Sequence, residues 1–123
     1  MLVVTRFAVP ETEADDVLAR AGAALAAFAA RPGYLRGRVG RAADDPTAWV
    51  LTTEWSGVGA YRRSLSAYDV KVHAVPLLAL GRDEPSAFEV LLSEEGASPS
   101  DRAADAGSAN VGSSSGPQVQ PGG

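Results

Sequence analysis

Residues 49–65, WVLTTEWSGVGAYRRSL, change from the period of a strand to the period of a helix. Counting every second residue puts Trp49, Leu51 and Trp55 on one side of an extended segment, as in a β-strand. Ser56 then offers a hydroxyl that can cap a helix, and the apolar positions after it fall near one helical face. We therefore predict a strand that runs directly into a helix.

Working outward from this segment, the sequence predicts three more strands and one more helix. The β-branched run 2–9, the run 34–42 and the run 86–92 are typical of strands. A helix follows the first strand, with Thr12 as its N-cap, and residues 32–33, Pro-Gly, end it. Its apolar stripe at helical spacing consists of Leu18, Ala21, Leu25 and Phe28.

The resulting order, β-α-β-β-α-β, is the ferredoxin-like plan of the α+β class. It predicts a four-stranded antiparallel sheet with both helices on one face. In the first strand Val3 and Phe7 oppose Leu2 and Val4, so both faces of the sheet are largely apolar. Because an exposed apolar face promotes association, we expect a symmetric homodimer with its sheets face to face, a dimeric α+β barrel.

The composition of the 123 residues narrows the chemistry. There is no cysteine and a single histidine, His73, which argues against a disulfide framework, a thiolate nucleophile and a multi-histidine metal cage. No metal or other cofactor is expected. Residues 1–93 carry 10 Lys+Arg and 11 Asp+Glu, about −1 of the net charge of −4. A nearly neutral body offers no basic face for a nucleic acid.

Two further expectations concern organisation and location. Residues 1–93 should form the folded domain, whereas residues 94–123 are rich in Gly, Ser, Ala and Pro and are expected to be disordered. No apolar run approaches the roughly 18 residues that a membrane span needs. The N-terminus is not typical of a signal peptide, so a cytoplasmic, soluble protein is expected.

The strand order and two short segments resemble the antibiotic biosynthesis monooxygenase (ABM) family. These segments are TEWSGVGAYRRSL at 53–65 and PGYLRGRV at 32–39. The resemblance covers roughly residues 1–93. It implies the ferredoxin-like fold, a homodimer and, in some members, oxidation of anthrone-like polyketides or quinols by O2 without metal or flavin.

In the members that oxidise polyketides, a strand-end Trp and a helix Tyr take part, and the matching positions are Trp55 and Tyr61. A strand Asn of those members falls at Leu51, and a later Arg falls near Val75. Other members degrade haem through a helix His, to which His73 corresponds. Their first-strand Asn and second-helix Trp fall near Thr5 and Ser64.

The resemblance and the chemistry of the side chains together predict an active site. Trp55, Tyr61 and His73 are the candidate catalytic residues; Trp55 and Tyr61, with Leu51 and Arg62, are the candidate substrate-binding residues. Tyr61 could donate to a substrate oxygen. His73 could act as the base, because the ordinary pKa of a histidine side chain, about 6.5, is close to neutral pH. Arg62 could stabilise developing negative charge.

Three functions stay open at this point. The first is a cofactor-independent monooxygenase that acts on an aromatic polyketide or quinol with O2. The second is a non-catalytic dimeric domain that binds a small apolar ligand, in which Trp55 and Tyr61 only pack the core. The third is a haem-degrading enzyme in which His73 binds the iron.

Overall fold

The sheet has the predicted four antiparallel strands in a computed structural model, which describes residues 1–97. Their order across the sheet is β2-β3-β1-β4, which confirms the ferredoxin-like α+β prediction. The strands are β1 Leu2–Ala8, β2 Tyr34–Ala42, β3 Asp45–Trp55 and β4 Ala87–Phe88.

The first predicted helix is present, but the second helical region is divided into three short helices. The helices are α1 Ala14–Ala29, α2 Val58–Ser64, α3 Tyr68–His73 and α4 Val75–Leu78. The backbone of Ala67 is extended between α2 and α3, and Pro76 lies in the first turn of α4. None of the helices in residues 1–97 is long and apolar enough to cross a membrane.

Both predicted N-caps are wrong. A 3-10 turn at Glu11–Glu13 precedes α1, whose N-cap is Glu13, and neither α1 nor α2 has a side-chain cap. Ser56 instead donates its backbone N–H to the carbonyl of Gly33, at 2.8 Å. The chain is still extended at Gly57, so α2 begins later than the serine predicts.

The core lies between one face of the sheet and the helices, of which α1 is the longest. Val3 and Phe7 of β1 and Leu51 and Trp55 of β3 are buried there, as their alternation predicts. On α1 the buried stripe is rotated from the predicted one, and Leu18 is 50% exposed. The residues of α1 that are buried are Val17, Ala21, Ala24, Ala27 and Phe28.

A bulge near the start of β2 changes which residues face α1. Tyr34 pairs with Trp55, but the next pair is Arg36 with Glu54, so Leu35 has no partner across the ladder. Leu35 is 62% exposed and lies outside the core. The extra residue leaves Tyr34 on the core side of the sheet.

The last strand is shorter than predicted. Only Ala87–Phe88 pairs with β1, with Phe88 opposite Leu2. Because Leu2 is the first residue of β1, the chain beyond Phe88 has no further strand residue to pair with. Residues 94–97 have no regular secondary structure, and the rest of the predicted tail lies outside the described residues.

The sheet face away from the helices, called here the open face, is partly apolar. Leu2, Val4 and Val50 are half-buried on it, and Phe88 is 43% exposed. Two ion pairs also lie on this face, Arg6 with Glu84 at 2.8 Å and Arg36 with Glu54 at 3.5 Å.

Candidate functional site

Four rings, called here the aromatic cluster, meet where β3 ends. Trp55 is at the centre and is 1% exposed. Its ring centroid lies 5.5 Å from that of Phe28, 5.3 Å from that of Tyr34 and 5.6 Å from that of Tyr61. Phe28 and Tyr34 meet the indole nearly edge to face, at 82° and 85°, a favourable geometry for aromatic pairs.

Hydrogen bonds fix the indole at the centre of the aromatic cluster. The Trp55 Nε1–H donates to Thr53 Oγ1 at 2.9 Å. The backbone N–H of Trp55 donates to the Met1 carbonyl at 2.9 Å, and the Met1 amino group donates to the Trp55 carbonyl at 3.0 Å. The indole therefore keeps one orientation against Tyr61.

Gly33 brings α2 against the end of β3. Its φ is +87°, in the left-handed region that favours glycine. A Cβ at this position would lie 2.5 Å from Ala60 Cβ and 2.8 Å from Ser56 Oγ. The Gly33 carbonyl also accepts the Ser56 N–H, so this one glycine determines how closely α2, which carries Tyr61, approaches the sheet.

The two tyrosines of the aromatic cluster have a higher pKa than an exposed tyrosine. Burial raises the pKa of Tyr61 and, through the same desolvation, that of Tyr34. Within residues 1–97 neither hydroxyl has a hydrogen-bond partner. Both phenols therefore stay neutral near pH 7 and are available as donors.

Sequence reasoning missed Tyr34. Its hydroxyl lies over Gly37, where a Cβ would overlap with it and would come within 2.6 Å of Leu25 Cδ2. The signal was present, since PGY opens β2 and Trp55 closes β3. Only the register that pairs Tyr34 with Trp55 makes them neighbours.

Leu51 and Arg62 lie in different environments. Leu51 is 2% exposed on the same side of β3 as Trp55, and it presents only carbon to the core. Arg62 is exposed and lines a cavity of about 430 Å³ together with Val58 and Phe88. The guanidinium therefore belongs to a surface beside the aromatic cluster.

His73 lies apart from the other candidates. It is exposed at the end of α3 and lines an open depression of about 290 Å³ with Asp69, three alanines of α1 and Ala30, the C-cap of that helix. No ring of the aromatic cluster lines this depression. The structure brings Trp55 and Tyr61 together but does not bring His73 to them.

The described part of the chain does not contain a set of metal ligands. No group of three or more His, Cys, Asp or Glu side chains in residues 1–97 is arranged to hold an ion. The chemistry that the aromatic cluster can perform is that of its phenols and rings. They can stack on a flat aromatic molecule and donate a hydrogen bond to its oxygen.

A family model described as antibiotic biosynthesis monooxygenase matches residues 1–74. Among solved structures, the chain is 31% identical to SnoaB, a cofactor-independent oxygenase from Streptomyces nogalater, with a TM-score of 0.53, covering 75% of this chain and 96% of that one. It is 20% identical to Rv0793 from Mycobacterium tuberculosis, with a TM-score of 0.57, covering 79% and 97%. No curated protein matches the chain in sequence.

Proposed function

The chain belongs to the antibiotic biosynthesis monooxygenase family, and on this premise we propose that it is a cofactor-independent monooxygenase. Its proposed substrate is an aromatic polyketide of the anthrone type or a quinol, and its oxidant is O2. The named activity of SnoaB supports the reaction type, since that protein is 31% identical over most of both chains.

The observation that carries the proposal is the free hydroxyl of Tyr61 beside a fixed indole. Tyr61 is half-buried, its ring centroid is 5.6 Å from that of Trp55, and its hydroxyl has no acceptor in residues 1–97. A half-buried hydroxyl without a protein partner can donate a hydrogen bond to a ligand. We assign the partner to an oxygen of the substrate.

The proposed reaction needs a substrate that becomes an anion and transfers electrons to O2. In an anthrone the ring CH2 loses both hydrogens, one oxygen of O2 becomes the new carbonyl, and the other leaves with the two hydrogens as water. The Tyr61 hydroxyl would donate to the substrate oxygen on which negative charge develops. Because Trp55 is 1% exposed, its role would be indirect: it would hold the Tyr61 ring in place.

The test is oxidation of anthrone by Tyr61→Phe, which removes the donor and keeps the ring. Loss of one hydrogen bond to developing charge should lower kcat about 10- to 100-fold at an unchanged Tm. Tyr68→Phe is the matched control, since Tyr68 is 78% exposed and makes no contact with the aromatic cluster. Equal turnover by Tyr61→Phe and Tyr68→Phe would refute the assigned role.

For the base that removes a proton from the substrate, we keep His73, the residue predicted from the sequence. Because His73 lines a different depression, its role is tested separately, with His73→Ala. Loss of turnover without loss of stability would support it as the base, and full turnover would exclude it. Arg62→Gln tests the predicted anion-stabilising role in the same way.

A second candidate function is a non-catalytic dimeric domain that binds a small apolar ligand. Leu51 favours it, because its buried side chain offers no hydrogen bond to a substrate. Such a domain would bind anthrone without consuming O2. Binding without turnover, and binding that Tyr61→Phe leaves unchanged, would support this alternative.

We also propose that the open face packs on a second copy of the chain. The half-exposed side chains of Leu2, Val4, Val50 and Phe88 support this assembly, because together they form an apolar patch. Two sheets facing each other would form the dimeric α+β barrel.

A further inference from the structure

A groove opens on the helix side of the sheet, between the first half of α1 and the end of β2. This groove, called here the α1–β2 groove, has a volume of about 210 Å³ and is lined by Leu18, Val39, Gly40, Arg41 and Trp49. In the strand register Val39 pairs with Leu51, and Arg41 pairs with Trp49. Because Leu51 and Trp49 are buried in the core, Val39 and Arg41 lie on the side of the sheet that α1 covers. The groove shares no residue with the aromatic cluster.

The walls of the α1–β2 groove are apolar. Leu18 is 50% exposed, and Val39 is half-buried. Trp49 donates its indole Nε1–H to the Pro46 carbonyl at 3.1 Å, so the ring offers only carbon to the groove. An apolar occupant would therefore cover the exposed surface of Leu18 and Val39, and removing this surface from water favours binding.

A glycine of α1 leaves the middle of the groove unfilled. Leu18, Gly22 and Leu25 lie on one face of α1, since residues three and four positions apart are neighbours on a helix. A Cβ at Gly22 would meet nothing within 4 Å. At Gly37 of β2, by contrast, a Cβ would overlap with the Tyr34 hydroxyl and lie 2.6 Å from Leu25 Cδ2. Tyr34 and Leu25 therefore close the end of the groove that is farther from Arg41.

Arg41 gives the other end of the groove a positive charge. Its side chain is exposed and, within residues 1–97, forms no ion pair. Among the described residues, no Asp or Glu lines the groove. A guanidinium can bind a carboxylate through two parallel hydrogen bonds. From Arg41 to Gly37 the strand spans about 13 Å, which is long enough for the extended chain of octanoate.

We propose that the α1–β2 groove binds a straight-chain aliphatic carboxylate of about the length of octanoate. The carboxylate binds Arg41, and the chain lies between Leu18 and Val39 and points toward the end closed by Tyr34. This site is independent of the proposed oxygenase activity. A second copy on the open face leaves it accessible, because the groove lies on the other side of the sheet.

The test is calorimetric titration of the full chain with octanoate, at concentrations below those at which it forms micelles. Two further probes separate the parts of the ligand, since 1-octanol has the chain without the charge and acetate has the charge without the chain. We expect saturable binding of octanoate that is at least about 10-fold tighter than that of either probe, because the ion pair and the apolar contact both contribute.

Two pairs of variants locate the site. Arg41→Gln should weaken octanoate binding about 10-fold. Arg38→Gln, which removes the same charge from the opposite side of β2, should change it less than about twofold. Gly22→Leu should also weaken binding at least about 10-fold, because it fills the groove without changing charge and leucine favours a helix more than glycine does. Ala19→Leu, which enlarges an exposed residue of α1 outside the groove, should leave binding unchanged.

The proposal is overturned if the wild-type chain shows no saturable binding, or if either probe binds as tightly as octanoate. Equal weakening by the two members of either variant pair would also overturn it. Weakening by Tyr61→Phe as large as that by Arg41→Gln would assign the ligand to the aromatic cluster instead. None of these outcomes depends on turnover, so failure of this site and failure of the proposed function are distinguishable.

Discussion

Tyr61 and Tyr34 make the free energy of unfolding depend on pH. Burial raises the pKa of both phenols in the folded state, whereas in the unfolded chain they ionise near the ordinary value of 10. Below that pH the phenols are neutral in both the folded and the unfolded state, so they do not change the free energy of unfolding. As pH rises through it, the unfolded state releases protons first, so the free energy of unfolding should fall.

Urea unfolding between about pH 8 and pH 11 measures this loss. Tyr61→Phe should show a shallower decline than the wild type, because one of the two buried phenols is gone. Tyr68→Phe should decline as the wild type does, since that side chain is 78% exposed. Identical slopes for wild type and Tyr61→Phe would contradict the burial of the Tyr61 hydroxyl.

At the scale of single residues, Trp55 and Tyr61 could be identified from the sequence because the strand-to-helix segment that carries them resembles the antibiotic biosynthesis monooxygenase family. It could not identify Tyr34, whose contact with Trp55 depends on strand register and on the bulge at Leu35. Nor could it place His73, because the break at Ala67 redirects the chain after α2.

At the scale of elements, substitution by alanine is expected to change the free energy of unfolding in opposite directions at Gly33 and at Gly22. Gly33→Ala should lower the free energy of unfolding by about 1–3 kcal/mol, because φ is positive and the new Cβ overlaps Ala60. Gly22→Ala should raise it by about 0.5–1 kcal/mol, since Gly22 is exposed within α1 and has nothing within 4 Å.

Chemical denaturation of both variants checks this pair. Because Gly33 also positions α2, Gly33→Ala should lower turnover as well, while Gly22→Ala should leave it unchanged. A neutral Gly33→Ala would mean that the turn between α1 and β2 does not hold α2 in the way described.

The strands could be predicted at this scale because period-2 burial is strong in β1 and β3. The second helical region was harder. Its break depends on the extended backbone of Ala67, a residue that favours helices, so local propensity gives no warning. β4 was predicted too long because Val90 and the leucines after it look like strand residues, although β1 offers them no partner.

At the scale of the whole molecule, the open face predicts self-association. Sedimentation velocity at micromolar concentration should show a dimer. Val4→Asp, which places a charge in the apolar part of the open face, should shift it to monomer. Leu18→Asp, an equal change at an exposed residue of α1, should leave the dimer intact. A monomeric wild type would contradict the assembly.

The most direct test of the proposed function is oxidation of anthrone under ¹⁸O2 by the metal-free protein, followed by mass spectrometry of the product. We predict a quinone that carries one oxygen atom from O2, formed faster than without protein, with the rate reduced in Tyr61→Phe. Product formed only at the uncatalysed rate, or only after metal or flavin is added, would contradict a cofactor-independent monooxygenase.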